Sequence, residues 1–324
     1  MMTRTQAVVI PEAGVVELRE VGLCEPGPDD VTIQTVYTSI SAGTERMLLA
    51  GQMPHPMLQL PVIPGYETVG KVIAHGENLS DDWLGRWVYV GGAMCYEGIN
   101  AAWGGQSATI ITPAERVIHL KHIEPVQGVL LALSATALHG IDLLQVQPGQ
   151  RMLVIGQGPV GQIAARLARG RGAWVAVSDR SASRLERAEA DRLINVEAGE
   201  TLAEAISEPL DFIVEASGSM AALSDALMKL KTGGTILLLG YYQTLELPYM
   251  PLFLKEARLL TAKEWGPDDL QRSRDLIASG DLAVSALLTH RLPISAVDVA
   301  YKIALNEMDC LKLILEWGDP KHDS

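Results

Sequence analysis

A strand, a glycine-rich turn and a helix in unbroken order limit this chain more than any other feature. Residues 151–155, RMLVI, form an apolar run of strand length, and Gly156-Gln157-Gly158-Pro159-Val160-Gly161 follows directly, opening an Ala-rich helical stretch. The next apolar run, WVAVSD, closes on Asp179. In a chain with 30 glycines a GxGxxG string alone is weak. The strand before it, the helix after it and the acid ending the next strand give it meaning. Gly156 permits the tight turn, Gly158 lets a pyrophosphate approach the backbone, and Gly161 lets the helix pack on the sheet. Gln157, Pro159 and Val160 complete a turn whose free N–H groups and positive dipole end face the phosphates.

Asp179 bears on which dinucleotide binds. A carboxylate there accepts hydrogen bonds from both ribose hydroxyls and repels a 2′-phosphate, which favours NAD over NADP. Arg180 and Arg184 lie beside it, either holding such a phosphate or starting a solvated helix. Two further strand-length runs, DFIVEA and GGTILLLG, are separated by helix-like segments. Strands alternating with helices predict an α/β chain with a Rossmann, doubly wound parallel sheet. Gly240 and Tyr241 follow the last of these strands, at the carboxyl edge where ligands bind. The first ~120 residues differ. AVVIP, DVTIQTVY, ETVGKVIA, RWVYVGG and SATIITP read as short strands between Gly- and Pro-rich turns, a small β-rich domain. After residue 265 the chain is mixed, with helices at DDLQRSRDLIASG and SAVDVAYKIALNE and strands at LTHRLP and LKLILEW. The expected domains are 1–122, β-rich; 123–265, nucleotide-binding; and 266–324, a return segment completing the first.

Charge and cysteine content exclude several partners. A net charge of −13 disfavours nucleic acid and anionic membrane surfaces. Three cysteines, Cys24, Cys95 and Cys310, cannot build a four-thiolate zinc site or a disulfide-stapled secreted domain. The N-terminus lacks a signal-peptide pattern. The apolar stretch from Gly128 to Leu144 is broken by His139 and Asp142 and falls short of a span. A cytoplasmic protein is expected.

SISAGTE (39–45), PVIPGYETVGKV (61–72), GQGPVG, DFIVEASG and LLTHRLP together resemble the medium-chain dehydrogenase/reductase superfamily. GTERMLLAGQMP, AMCYEG, GGQSATIITPAERV and LLALSATALHGI narrow the likeness. They are similar to the 3-hydroxyethyl bacteriochlorophyllide a dehydrogenases of bacteriochlorophyll biosynthesis. The resemblance implies a GroES-like catalytic domain beside the nucleotide-binding one, a homodimer, and oxidation of a 1-hydroxyethyl group on a chlorin to acetyl. It also puts Ala42, Tyr66 and Ala132 where zinc-dependent members carry Cys, His and Cys, so no metal is expected.

Without a metal, alcohol oxidation rests on acid–base groups. Thr44 keeps the hydroxyl that relays the proton in the superfamily, and Tyr66 sets a phenol at a former ligand position. Both are candidates to hydrogen-bond the reacting oxygen, with Glu67 or Glu45 orienting them or taking the proton. Thr136 matches a nicotinamide-carboxamide contact, and His139, one turn on, reads as a satisfied interface histidine rather than a base. Met47, Met53, Met57, Met94, Tyr96 and Trp103 line loops that suit a broad apolar ligand or fill a small β core. Cys95 lacks a paired base and reads as an inert core residue. Two alternatives remain: a dehydrogenase or enone reductase for another apolar metabolite, and a catalytically silent nucleotide-binding scaffold or redox sensor.

Overall fold

The computed structural model describes residues 4–53 and 59–318. From the N-terminus come β1 (Arg4–Val9), β2 (Glu17–Leu23), β3 (Asp30–Ser39), α1 (Ala42–Leu49), β4 (Val62–Ile63), β5 (Thr68–His75), β6 (Trp87–Val90), β7 (Tyr96–Glu97), β8 (Asn100–Ala101), β9 (Thr109–Pro113) and β10 (Val117–His119). Next are α2 (Leu131–Leu144), β11 (Arg151–Ile155), α3 (Pro159–Gly170), β12 (Trp174–Asp179), α4 (Ala182–Leu185), β13 (Arg192–Asn195), α5 (Leu202–Ala205) and β14 (Leu210–Glu215). Then follow α6 (Met220–Ala226), β15 (Leu230–Leu238), α7 (Tyr249–Lys255), β16 (Arg258–Thr261) and α8 (Asp269–Ser279), and β17 (Leu288–Pro293), α9 (Val297–Asn306) and β18 (Lys312–Glu316) finish the chain. Two compact units result, Met1–Ala132 with Leu288–Ser324, and Leu133–Leu287.

The first unit holds a sheet ordered β10-β6-β5-β3-β18-β17 with β9 also on β3, and a smaller sheet β1-β2-β7. Alternation along β3 turns Val31 and Ile33 inward against Ala7, Val9, Val72, Val88 and Ile110. The C-terminal strand β18 runs antiparallel to β3, with Ile314 opposite Ser39. This register stitches the end of the chain beside the strand that leads into α1.

The second unit is one sheet of parallel strands ordered β13-β12-β11-β14-β15-β16. Its direction of growth reverses between β11 and β14, so the carboxyl ends of those strands border a ligand crevice. Buried on both faces, β11 and β14 are near-continuous apolar runs, which is why the sequence declares them. The edge strand β13 escapes the sequence reading because it is short and partly exposed. Helix α8 forms as expected but belongs to this unit, whereas the sequence reading put everything from 266 in the return segment. Its buried Asp269 explains this: it faces His139 of α2 at 3.4 Å and accepts the Gly266 N–H. Segment Pro125–Leu144 has the length and apolarity of a membrane span, yet 72% of it is buried, as in a core helix.

Arg166, on α3, ties the nucleotide-facing helix to the chain beyond β12. It donates to Glu189 at 2.9 Å, to the Gln162 carbonyl and side chain, and to the Arg187 carbonyl at 2.8 Å. Its side chain is buried, while Glu189 is half exposed. Arg166→Ala is expected to cost about 2–3 kcal/mol, somewhat less than breaking a fully buried pair. Urea unfolding checks this, and a loss under about 1 kcal/mol would show that the staple is dispensable.

Candidate active site

In the first unit a hydroxyl cluster forms where α1 begins. Ser41 occupies the N-cap, but its Oγ does not cap its own helix. Instead it makes a short hydrogen bond with the Tyr66 hydroxyl, which also lies 3.2 Å from Thr44 Oγ1. Tyr89 donates to the Tyr66 carbonyl at 2.8 Å, fixing the turn that carries the phenol. Burial and then the nearby Glu67 push the Tyr66 phenol well above its ordinary range, so it stays protonated and can donate.

Two buried carboxylates flank this cluster in different company. Glu67 receives Lys312 Nζ on both oxygens, at 3.0 and 2.8 Å, and a short hydrogen bond from Ser39 Oγ. Lys312 also reaches the Ile40 carbonyl. Glu67 thus has the surroundings of a structural anion, not of a free base. Among the described residues, no cation lies within bonding distance of Glu45. Its Oε1 accepts the Ser41 N–H at 3.0 Å, and its Oε2 accepts Gln106 Nε2 at 3.0 Å and a short bond from Tyr301. Burial raises its pKa to about 7, against the lowering effect of the Tyr301 and Ser41 hydrogen bonds.

Ala42, Tyr66 and Ala132 carry a methyl, a phenol and a methyl. The trio of ligand-type atoms gathered within 4.8 Å among the described residues, His290, Glu307 and Asp309, includes none of the expected site residues. Cys24 is exposed, and Cys95 and Cys310 are buried. The Cys95 thiol is raised by burial and accepts the Ile111 N–H, as an inert wall residue would. Met53 and Tyr96 are core, with Met47 and Trp103 packed at its margin; Met94 is 80% exposed and Met57 lies outside the described residues.

In the second unit the glycine turn has the geometry its sequence requires. Gly156 has φ +89°, and a Cβ on Gly161 would sit 1.9 Å from the Gly156 carbonyl oxygen. A Cβ on Gly158 would meet nothing within 4 Å, leaving an open cradle at the start of α3 next to Pro159 and Val160. These residues fit a dinucleotide pyrophosphate. Gln157 is buried and donates from its side chain to the Gly156 carbonyl. Asp179 accepts the Gln157 N–H at 2.6 Å and the Ser181 N–H at 2.8 Å, one on each oxygen. Its carboxylate is therefore oriented over the turn, with acceptor capacity left for ribose hydroxyls. Arg180 is exposed, and the Arg184 carbonyl accepts Gln162 Nε2. Thr136 is half-buried on α2; His139 pairs with Asp269. Beside Gly240 and the exposed Tyr241, fully buried Glu215 accepts the Ser217 and Gly218 N–H groups and the Tyr242 hydroxyl.

Sequence reasoning missed Ser41, Ser39, Gln106, Tyr301, Lys312 and Glu215. Lys312 alone left a signal, a single cation inside the apolar run LKLILE.

The alcohol dehydrogenase GroES-like domain family matches residues 27–122, and the zinc-binding dehydrogenase family matches residues 159–279. A 2-desacetyl-2-hydroxyethyl bacteriochlorophyllide A dehydrogenase of Cereibacter sphaeroides is 34% identical, covering 97% of this chain and 98% of that protein. A putative zinc-binding dehydrogenase from Sinorhizobium meliloti, solved bound to NADP, has a TM-score of 0.84 at 23% identity, covering 97% of this chain and 99% of that one. An Escherichia coli alcohol dehydrogenase complexed with NADH has a TM-score of 0.85 at 20% identity, with coverage of 97% and 99%.

The two carboxylates predict different behaviour. Glu45 rises from an ordinary 4.5 to about 7 on folding, so the folded chain binds more protons than the unfolded one between those values. Its burial penalty is absent below the lower value and complete above the upper, and stability should fall by about 3 kcal/mol as pH rises through the window. Urea unfolding at several pH values should find this slope flattened in Glu45→Gln; an unchanged slope would assign the titration elsewhere. Lys312→Met should cost about 3–5 kcal/mol by leaving Glu67 buried and unpaired, and adding Glu67→Gln should restore much of it.

Proposed function

Because this chain belongs to the medium-chain dehydrogenase/reductase superfamily, we propose that it is an NAD-dependent dehydrogenase that works without zinc on a 1-hydroxyethyl (bacterio)chlorophyllide. The observation that carries the reading is the hydroxyl cluster of Ser41, Thr44 and Tyr66, and it supports a site of hydroxyl donors in place of a metal. The full-length relative whose name specifies a hydroxyethyl bacteriochlorophyllide supports the substrate. Oriented Asp179 supports NAD, since a 2′-phosphate would meet a fixed anion.

A bound nicotinamide cofactor supplies the acceptor for the hydride leaving the carbinol carbon. The chain's own residues handle the proton. Tyr66, a neutral phenol, donates to the reacting oxygen as charge develops on it, and Thr44 binds the same oxygen. The hydroxyl proton passes along these hydroxyls, and half-exposed Thr44 releases it to solvent. Attachment of the carbinol to a conjugated ring spreads the positive charge that forms as hydride departs, so less alkoxide character is needed. Glu45 and Glu67 act as positioning residues. Glu45 holds the first turn of α1, and Glu67, clamped by Lys312, holds the turn bearing Tyr66. Thr136, Gly240 and Tyr241 are assigned to the nicotinamide end, Gly156 to Gly161 to the pyrophosphate, and Asp179 with Arg180 to the adenosine end. A cytoplasmic homodimer whose catalytic domain is the unit Met1–Ala132 with Leu288–Ser324 completes the reading.

The test is turnover of a hydroxyethyl bacteriochlorophyllide with NAD⁺, followed by the macrocycle band and by reduced nicotinamide. Activity should survive a chelator; stoichiometric zinc with chelator-sensitive turnover would sink the metal-free reading. Tyr66→Phe should lower kcat by about 10²–10³-fold, as loss of an oxyanion donor does. Asp179→Ala should raise KM for NAD⁺ at least about tenfold by removing charge-assisted ribose contacts, while narrowing the gap to NADP⁺.

A further inference from the structure

Trp103 is held in a conformation its side chain disfavours. Its φ is +70°, in the left-handed region that bulky residues rarely enter. The surroundings impose it: a Cβ on Gly92, itself at φ +106°, would lie 2.1 Å from the Trp103 carbonyl oxygen. Gly104, at φ +73°, presses as closely on the Ala93 carbonyl, and Tyr96 donates to the Gly104 carbonyl at 2.5 Å. The result aims the indole at one place. Its ring meets Tyr66 edge-on, with centroids 5.2 Å apart and planes at 62°. The ring is half-buried against the cluster of Leu48, Met53 and Val62. Among the described residues no group accepts its indole N–H.

Strained backbone at a binding site is maintained because the surrounding structure over-determines it. Here the strain supplies a flat aromatic surface beside the hydroxyl that meets the reacting oxygen. We propose that Trp103 is the platform on which the substrate's planar conjugated ring stacks, setting specificity for aromatic over aliphatic carbinols. This rests on the reading of Tyr66 as the donor to the reacting oxygen. Stacking holds the ring plane while Tyr66 and Thr44 take the exocyclic hydroxyl, so one residue selects the ring and its neighbours select the alcohol.

The experiment uses the full chain with NAD⁺ and two variants. Trp103→Phe keeps an aromatic face. Trp103→Gly removes the ring yet suits φ +70°, so the backbone stays comfortable. Binding of chlorin e6, a planar macrocycle, is followed by its absorption shift, and NADH binding reports an intact fold. Wild type and Trp103→Phe should bind chlorin e6 within about threefold of each other, and Trp103→Gly at least about tenfold more weakly with NADH affinity unchanged, as loss of one stacked ring implies. In turnover of the hydroxyethyl bacteriochlorophyllide the loss should appear mainly in KM. Equal chlorin affinity in wild type and Trp103→Gly, or no chlorin binding by wild type, overturns the proposal. Tight ring-dependent chlorin binding without turnover of the hydroxyethyl substrate retires the reaction assigned above and leaves the platform standing.

Discussion

The ion pair between Lys312 and Glu67 is the constraint on which the first unit hangs. Both side chains are almost fully buried, and charges in that position persist only when paired and hydrogen-bonded. Lys312 comes from the last strand, Glu67 from the turn before β5 and Ser39 from the end of β3, so one cluster fastens three elements. Tyr66 is the residue next to Glu67, and Ser41 stands two residues beyond Ser39. Fixing the buried ions therefore fixes the phenol and the hydroxyl it bonds, and the antiparallel register of β18 on β3 brings the cation there.

The same anion shapes the acid–base character of its surroundings. Its field adds to burial in keeping Tyr66 protonated and in raising Glu45. A neutral phenol and a carboxyl poised near 7 are a different arrangement from a metal with ionised ligands. In the proposed mechanism, charge that a metal would stabilise is met by hydroxyl donors, while the two carboxylates are buried.

The nucleotide unit is organised by another principle. Its binding turn depends on the absence of side chains, since the Gly156–Gly161 contact leaves no room for a Cβ and Gly158 leaves the helix start open. Asp179 is oriented by two backbone N–H groups before any ligand arrives. Pre-orientation of this kind lowers the ordering cost of binding.

The second unit was legible in the primary structure because its signals are local. A parallel strand buried on both faces must be apolar throughout, and a phosphate turn must be glycine-rich, so both show within a window of a few residues. Thr44, Glu45, Tyr66 and Glu67 were legible as candidates through short motifs, and the structure brings all four into one neighbourhood. Their division of labour was not legible. Glu45 and Glu67 look equivalent along the chain; they differ because Lys312 reaches one across 245 positions while Tyr301 and Gln106 reach the other across 256 and 61. Nothing local to either carboxylate encodes those partners. Edge strand β13 and the allegiance of α8 were hidden for the same reason, since partial exposure blurs periodicity and packing assigns a helix to its neighbours. Local composition set the nucleotide-binding architecture and named the candidate side chains, whereas long-range contacts decided which carboxylate is a paired ion and which can titrate near neutrality.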